Sequence, residues 1–185
     1  MQLWLILATS VTLGIMVLAA GLWFSRYGRT TGGCYLVQVN GAITLGLLIT
    51  ALVVTPDPGT VRAGIALAML GLALGIFLWA LASHPRSRLT QVYCEDSPER
   101  LVRTGPYRHI RHPCYTTYLF AFSAVLVGTW RWWLVPVVVV NAVLYAHAAW
   151  SEEQKFMRSP LAEDYRRYRL RTGMFLPNPL KFYKK

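Results

Sequence analysis

YTTYLFAFSAVLVGTW, residues 115–130, running directly into RWWLVPVVVVNAVLYAHAAW, residues 131–150, decides the fold. A helix needs about 20 apolar residues to cross the hydrocarbon of a bilayer. The stretch Tyr115–Trp150 is too long for one crossing and too apolar for a loop. It is interrupted at Trp130-Arg131-Trp132-Trp133, an aromatic cluster with a charge, which is the composition of a turn at the membrane interface. The reading is a tight helical hairpin with Arg131 at its tip.

Upstream, Leu3–Phe24, Tyr35–Thr55 and Val61–Ser83 are each long enough to span, and Thr55-Pro-Asp-Pro-Gly59 reads as the turn joining the second to the third. The first span lacks a basic leader, and its apolar stretch exceeds the roughly 7–15 residues of a signal-peptide core, so it is expected to stay as a mature helix. The fold expected is therefore an all-α integral membrane protein of about five transmembrane helices, the last two forming the hairpin. Residues 1–185 read as one membrane domain: three spans in 1–83, then a half at 84–185 that contains the hairpin 115–150.

Composition agrees. Of 185 residues, 55% are hydrophobic and 15% charged, against about 25% charged in a soluble domain, and the mean hydropathy is +0.37. Residues 1–25 and 63–83 carry no charge at all. The net charge of +11 sits in the loops and tail. There it faces anionic lipid headgroups rather than nucleic acid. Cys34, Cys94 and Cys114 are odd in number and map to one membrane face, which implies three reduced thiols and no disulfide framework.

Five spans place the termini on opposite sides. With the C-terminus inside, Arg26 and Arg29, six Arg between 84 and 114, and nine Lys/Arg after 151 are cytoplasmic, and only Arg62 and Arg131 lie outside. The positive-inside rule therefore sets the N-terminus out and the C-terminus in.

Within the spans, Gly64, Ala68, Gly71 and Gly75 share a face of the third helix, a pattern that lets helices approach closely in lipid. Gln38, Asn40, Asn141 and His147 are the polar residues in spans. Interhelical hydrogen bonds are expected of Gln38 and Asn40, and a hydrogen-bonded packing role of His147. There is no internal repeat or low-complexity segment, and no metal site is expected.

Polar chemistry gathers at one surface. The segment Leu101-Val-Arg-Thr-Gly-Pro-Tyr-Arg-His-Ile-Arg-His-Pro-Cys-Tyr115 has a turn at Gly105-Pro106, and Pro113 suits the first turn of the fourth helix. A helix start offers unpaired amides and a positive dipole end to a carboxylate or phosphate. From Pro113 to Arg131 is 18 residues, and 18 beyond lies Ala149, so the two arms match in height and His112 comes level with Trp150–Glu153. Glu152 and Glu153 thus stand opposite Arg111 and His112. Such acids make either salt bridges, worth little when exposed, or a ligand site, and spacing leaves both open.

Asn141, Tyr145, Ala148 and Glu152 form a stripe running from the acids into the membrane. In the tail, Ser151 is a candidate N-cap. Ser159-Pro160 opens a short helix whose face Leu161, Tyr165 and Tyr168 packs over the loop or rests in the headgroups. Arg166, Arg167, Arg169 and Arg171 surround that face and are expected to be solvated or headgroup-facing. Thr172-Gly-Met-Phe-Leu-Pro177 follows as a turn and an apolar segment.

Gly105-Pro106-Tyr107, then Arg111-His112-Pro113-x-Tyr115, a hairpin, Glu152-Glu153, the tail tyrosines and a Gly-x-x-x-Pro turn together resemble the isoprenylcysteine carboxyl methyltransferase and phospholipid methyltransferase superfamily over roughly residues 98–178. Thr117 stands where members often have Gly, and Pro160-Leu161 where Phe-Gly is usual. The resemblance implies a membrane enzyme with a cytoplasmic cofactor-binding loop and tail helices that binds S-adenosylmethionine, with a lipophilic substrate entering between helices. By the same resemblance Gly105, Tyr107, Arg111, His112, Pro113, Tyr115, Glu152 and Glu153 bind the cofactor. Glu152 and Arg171 are the catalytic candidates, Arg171 as a substrate-orienting cation.

Methyl transfer from a sulfonium needs chiefly alignment and water exclusion, so a missing catalytic dyad fits it and argues against a hydrolase. A lipophilic carboxylate or thiol, isoprenylcysteine-like, is the first acceptor considered, and a phospholipid amine the second. A membrane reductase related to sterol reductases would use NADPH and is normally much longer. A transporter would show midplane polar groups or inverted repeats, and a scaffold would ignore S-adenosylmethionine.

Overall fold

The computed structural model describes residues 2–25, 32–55, 59–83, 89–90, 98 and 100–178, with backbone alone over 19–25, 32–38 and 89–90. Among the described residues are six α-helices: α1 (Gln2–Trp23), α2 (Gly32–Val53), α3 (Thr60–Ala82), α4 (Pro113–Thr129), α5 (Leu134–Met157) and α6 (Ala162–Arg171). Apart from one parallel pair of two-residue strands, Phe24–Ser25 beside Leu89–Thr90, the described residues are helix, turn and loop. The first three helices begin and end within a few residues of the apolar limits read in the sequence. The side chains of Cys34, Gln38 and Cys94, and the turn residues 56–58, lie outside the described residues.

Among the described residues, α3 and α5 are long and apolar enough to cross a membrane. The apolar described parts of α1 and α2, Gln2–Leu18 and Val39–Val53, are shorter. Helix α4 has 17 residues, a length of about 25 Å at 1.5 Å per residue. Large apolar side chains cover the outside of the bundle: Trp4, Leu18, Val61, Leu72, Trp79 and Val143 are about half exposed or more. A chain folding in water would bury such a surface.

The core lies where α3 and α4 pack together with α1. Helix α3 buries Ala63, Ala66, Leu70, Ala73, Phe77, Ala80 and Leu81, a face with steps of three and four. Its alanines let α4 come close. A Cβ on Gly128 of α4 would stand 2.9 Å from a Leu5 methyl and 3.0 Å from Ala66. This corrects the expectation for the small-residue stripe: Gly64, Ala68, Gly71 and Gly75 are exposed, and a Cβ on any of the three glycines would meet nothing within 4 Å. Close approach within this chain is made by the alanine face instead.

The hairpin turn lies at Trp130–Trp133. Trp130 takes the left-handed conformation (φ 52°) and closes α4 through a bond from its amide to Leu126 O, and Arg131 O and Trp132 O accept from the first amides of α5. Arg131 then caps a neighbour, with Nη2 donating to Val54 O at 2.7 Å and Nε to Thr55 Oγ1 at 3.1 Å. Gln2 Nε2 donates to Leu52 O and Val53 O. The carbonyls at the end of α2 have no helical partner, and these two side chains satisfy them. The start of α1, the end of α2 and the hairpin tip thus meet at one end of the bundle.

Halfway along, Asn40 of α2 donates to Asn141 Oδ1 at 2.9 Å, and Asn141 Nδ2 donates to Thr44 Oγ1 at 2.9 Å and to Val137 O. The interhelical bond expected of Asn40 is present. Residue His147, by contrast, is exposed and lies against the Trp150 ring. It sits on the outer face of α5, so in place of the hydrogen-bonded packing role expected it makes an exposed ring contact with Trp150.

Candidate functional site

The other end of the bundle holds the polar groups. Thr104 Oγ1 donates to Ser83 O at the end of α3, and Gly105 follows with φ +58°. A side chain there would collide with Ser83 Oγ and crowd Trp79. The Gly-Pro pair therefore seats a single 3₁₀ turn, Gly105–Arg108, against α3. From that turn Tyr107 reaches back to place its hydroxyl 3.8 Å from Cys114 Sγ, and burial pushes the phenol well above its usual range.

Beyond the turn the chain runs extended and is zipped to the tail. The amides of Arg111 and His112 donate to Gly173 O (2.9 Å) and Met174 O (3.1 Å), and the Gly173 amide donates to His109 O. Thr116 Oγ1 adds a bond to Phe175 O at 2.9 Å. Gly173 has to be glycine, since a Cβ would overlap the Leu176 carbonyl. Pro113 then opens α4, as expected of a residue with no amide to leave unpaired.

Helix α5 runs unbroken to Met157, so Ser151 lies inside it and caps nothing. No Gly or Pro interrupts the chain from Asn141 to Ser159, and the acids that follow Ser151 are good helix formers. The break comes at Ser159-Pro160, where Ser159 Oγ accepts from the Leu161 amide. Helix α6 then folds back. Tyr165 stacks on Phe156 at 4.7 Å and Tyr168 donates to Tyr107 O at 2.7 Å. The tyrosine face packs over the loop, the first of the two placements the sequence allowed.

These elements bring Arg111, His112, Tyr115, Glu152 and Glu153 together. Arg111 Nε donates to Glu153 Oε1 at 2.7 Å, with side chains 8% and 4% exposed. His112 lies between the acids, Nδ1 3.2 Å from Glu152 Oε2 and Nε2 3.4 Å from Glu153 Oε1. Tyr115 donates to Glu152 Oε1 at 2.8 Å. An imidazole with a carboxylate on each nitrogen donates from both only as imidazolium. Burial opposes that charge, but the bonds to Glu152 and Glu153 and their charges outweigh it and raise the His112 pKa. Its ring stacks on Tyr115 (5.7 Å), which stacks on Tyr145 (5.3 Å), carrying the polar stripe into an aromatic column.

Gly105 and Pro113 shape the backbone, and Tyr107 lies beneath the loop. Arg171, at the end of α6, is exposed. The arginine that reaches the acids is Arg169, Nε 3.4 Å from Glu153 Oε2, a residue read from the sequence as solvated. Its position one turn beyond Tyr165, on the flank of the buried tyrosine face, was the available signal.

The sequence model of one family, described as phospholipid methyltransferase, matches residues 61–164, more than half of the chain. The chain belongs to the phospholipid methyltransferase family. The match runs from the start of α3 into α6 and so includes the loop, the hairpin and both acids. It is a family of membrane methyltransferases, in agreement with the resemblance carried by the Arg-His-Pro-x-Tyr element and the acid pair. No curated protein matches the chain. Thr117, where members often have Gly, is 1% exposed here and donates to Cys114 O at 2.8 Å, so its hydroxyl is satisfied within its own helix.

Proposed function

We propose that this chain is an S-adenosylmethionine-dependent methyltransferase acting on a lipid acceptor at the cytoplasmic surface of the membrane. The observation that carries the reading is Glu152: within a cluster otherwise closed by its own partners, its side chain is 25% exposed. It stands beside the N-terminus of α4 at the polar end of an apolar bundle. The residues present fit the cofactor. An acid and aromatic rings suit its cationic and adenosine parts, and the first-turn amides of α4 suit its carboxylate.

When bound, S-adenosylmethionine supplies an activated methyl group with a thioether as leaving group. Glu152 holds the cationic partner, Tyr115 and His112 fix that carboxylate, and the tail Gly173–Phe175 covers the loop against water. Among lipid acceptors a phospholipid amine is favoured, because the partly exposed charge is an acid and the matched family is named for phospholipids. An ammonium headgroup must lose a proton before its nitrogen attacks, and in this reading Glu152 is the base that accepts it. A carboxylate or thiol acceptor is the second reading, favoured by the exposed guanidinium of Arg171 next to Thr172.

A multi-pass arrangement with the N-terminus outside accompanies this function. Its supports are the charge bias and the grouping of the α1 start, α2 end and hairpin tip away from the acids. Calorimetric titration of the detergent-purified protein with S-adenosylhomocysteine, with NADPH as comparison, tests the reading. Saturable binding of the first alone is expected. Binding of NADPH alone would turn it to the reductase, and binding of neither by folded protein to a scaffold. Methyl incorporation into vesicles of phosphatidylethanolamine or into a prenylated cysteine then decides the acceptor.

A further inference from the structure

The two adjacent acids meet different surroundings. Glu153 is 4% exposed, and both of its oxygens are taken: Oε1 by Arg111 Nε and His112 Nε2, and Oε2 by Arg169 Nε. Glu152 meets no arginine, pairs with Tyr115 and His112, and keeps a quarter of its side chain open. Arg111, itself 8% exposed, spends Nη1 on Thr172 O at 2.6 Å and lies 3.5 Å from Arg169 O. Every charged bond of Glu153 therefore joins α5 to the loop or to the tail.

We propose that Glu153, with Arg111 and Arg169, is a buried latch that fastens residues 169–175 over residues 109–112, and that Glu152 alone of the pair faces the ligand. Glu153 is thus a positioning residue. It acts through His112, whose ring is bonded to both acids and wedged between Tyr115 and Phe175. A shift of the latch moves that ring and so re-aims Glu152. Arg169 is the outer half of the latch. Its side chain is 51% exposed, so it can be changed without opening a cavity. The inference rests on the methyl-transfer reading only for the identity of the ligand.

The test uses the full-length protein in detergent and two readouts: hydrogen exchange of the amides of Arg111, His112 and Gly173, and affinity for S-adenosylhomocysteine. Glu153→Gln and Arg169→Ala are expected to speed that exchange and to weaken affinity by about tenfold or more, as loss of a supporting contact does. Arg169→Lys, which keeps the charge, is expected to restore most of both. Glu152→Gln is expected to weaken affinity while exchange stays at the wild-type rate. Unchanged exchange in Arg169→Ala overturns the latch, as does a tail loosened equally by Glu152→Gln. If Glu153→Gln does not fold, the two Arg169 variants still decide. If wild-type protein ignores S-adenosylhomocysteine, the cofactor reading fails, and the exchange comparison judges the latch alone.

Discussion

Arg111 Nε lies 2.7 Å from Glu153 Oε1, and neither side chain is more than a tenth exposed. Removing one member of a buried pair leaves the other charged in a poor solvent, which costs about 3–5 kcal/mol. Arg111→Ala is expected to fall in that range, because Glu153 loses its shortest charged contact, keeping longer ones to His112 and Arg169, and Thr172 O loses its donor. Arg111→Lys should lie between it and wild type, since a lysine restores charge but not the two-pronged reach. Thermal unfolding in detergent measures both. A loss below about 1 kcal/mol in Arg111→Ala would place the pair in water.

Gly105 and Gly71 make a matched pair of tests. At Gly105 the backbone is left-handed and a side chain would strike Ser83, so Gly105→Ala is expected to destabilise by at least the roughly 1–3 kcal/mol of a strained backbone. At Gly71, mid-helix with open space around its Cβ position, the same change should be neutral or stabilising by up to about 1 kcal/mol. The melting temperature should fall in Gly105→Ala and hold or rise in Gly71→Ala. A melting point for Gly105→Ala equal to wild type would show that the loop is not seated on α3.

Helix limits and the hairpin were legible because apolar length and the Trp-Arg-Trp-Trp interruption are local signals. Arm-length arithmetic placed Arg111 and His112 opposite the acids, which the contacts at 2.7–3.4 Å bear out. Three things were not legible. The face of α3 that packs depends on which neighbour brings a glycine, and Gly128 lies far away in sequence from the alanines it meets. Ser151 looked like a cap because hydroxyls favour helix starts, yet nothing before it ends α5. The parting of Arg169 from Arg171 depends on how α6 turns over the loop, and one charged side chain reads like another until that rotation is known.

The bond between Asn40 and Asn141 joins α2 to α5 inside an apolar bundle. In lipid such interhelical bonds contribute about 0.6 kcal/mol on average and up to about 1.7 kcal/mol. Asn141 also holds Thr44, so Asn141→Leu should cost more than Asn40→Leu. In a double-mutant cycle the two changes should couple, because each removes the same bond. Strictly additive losses in unfolding free energy would mean the two side chains do not meet.

The pH dependence of stability follows from His112. Its pKa is raised in the folded state, since Glu152 and Glu153 hold the imidazolium against the cost of burying it. The stabilisation is therefore complete below the unfolded value of about 6.5 and is lost as pH rises through the higher folded value. An imidazole is the side chain whose ordinary range falls in this window, so His112 carries the dependence. The melting temperature should fall as pH rises above about 6.5 and through the folded value. In His112→Gln, which is shorter of charge at every pH, the curve should start lower and be flatter. A variant that follows the wild-type slope would assign the titration to another group and leave His112 neutral between the acids.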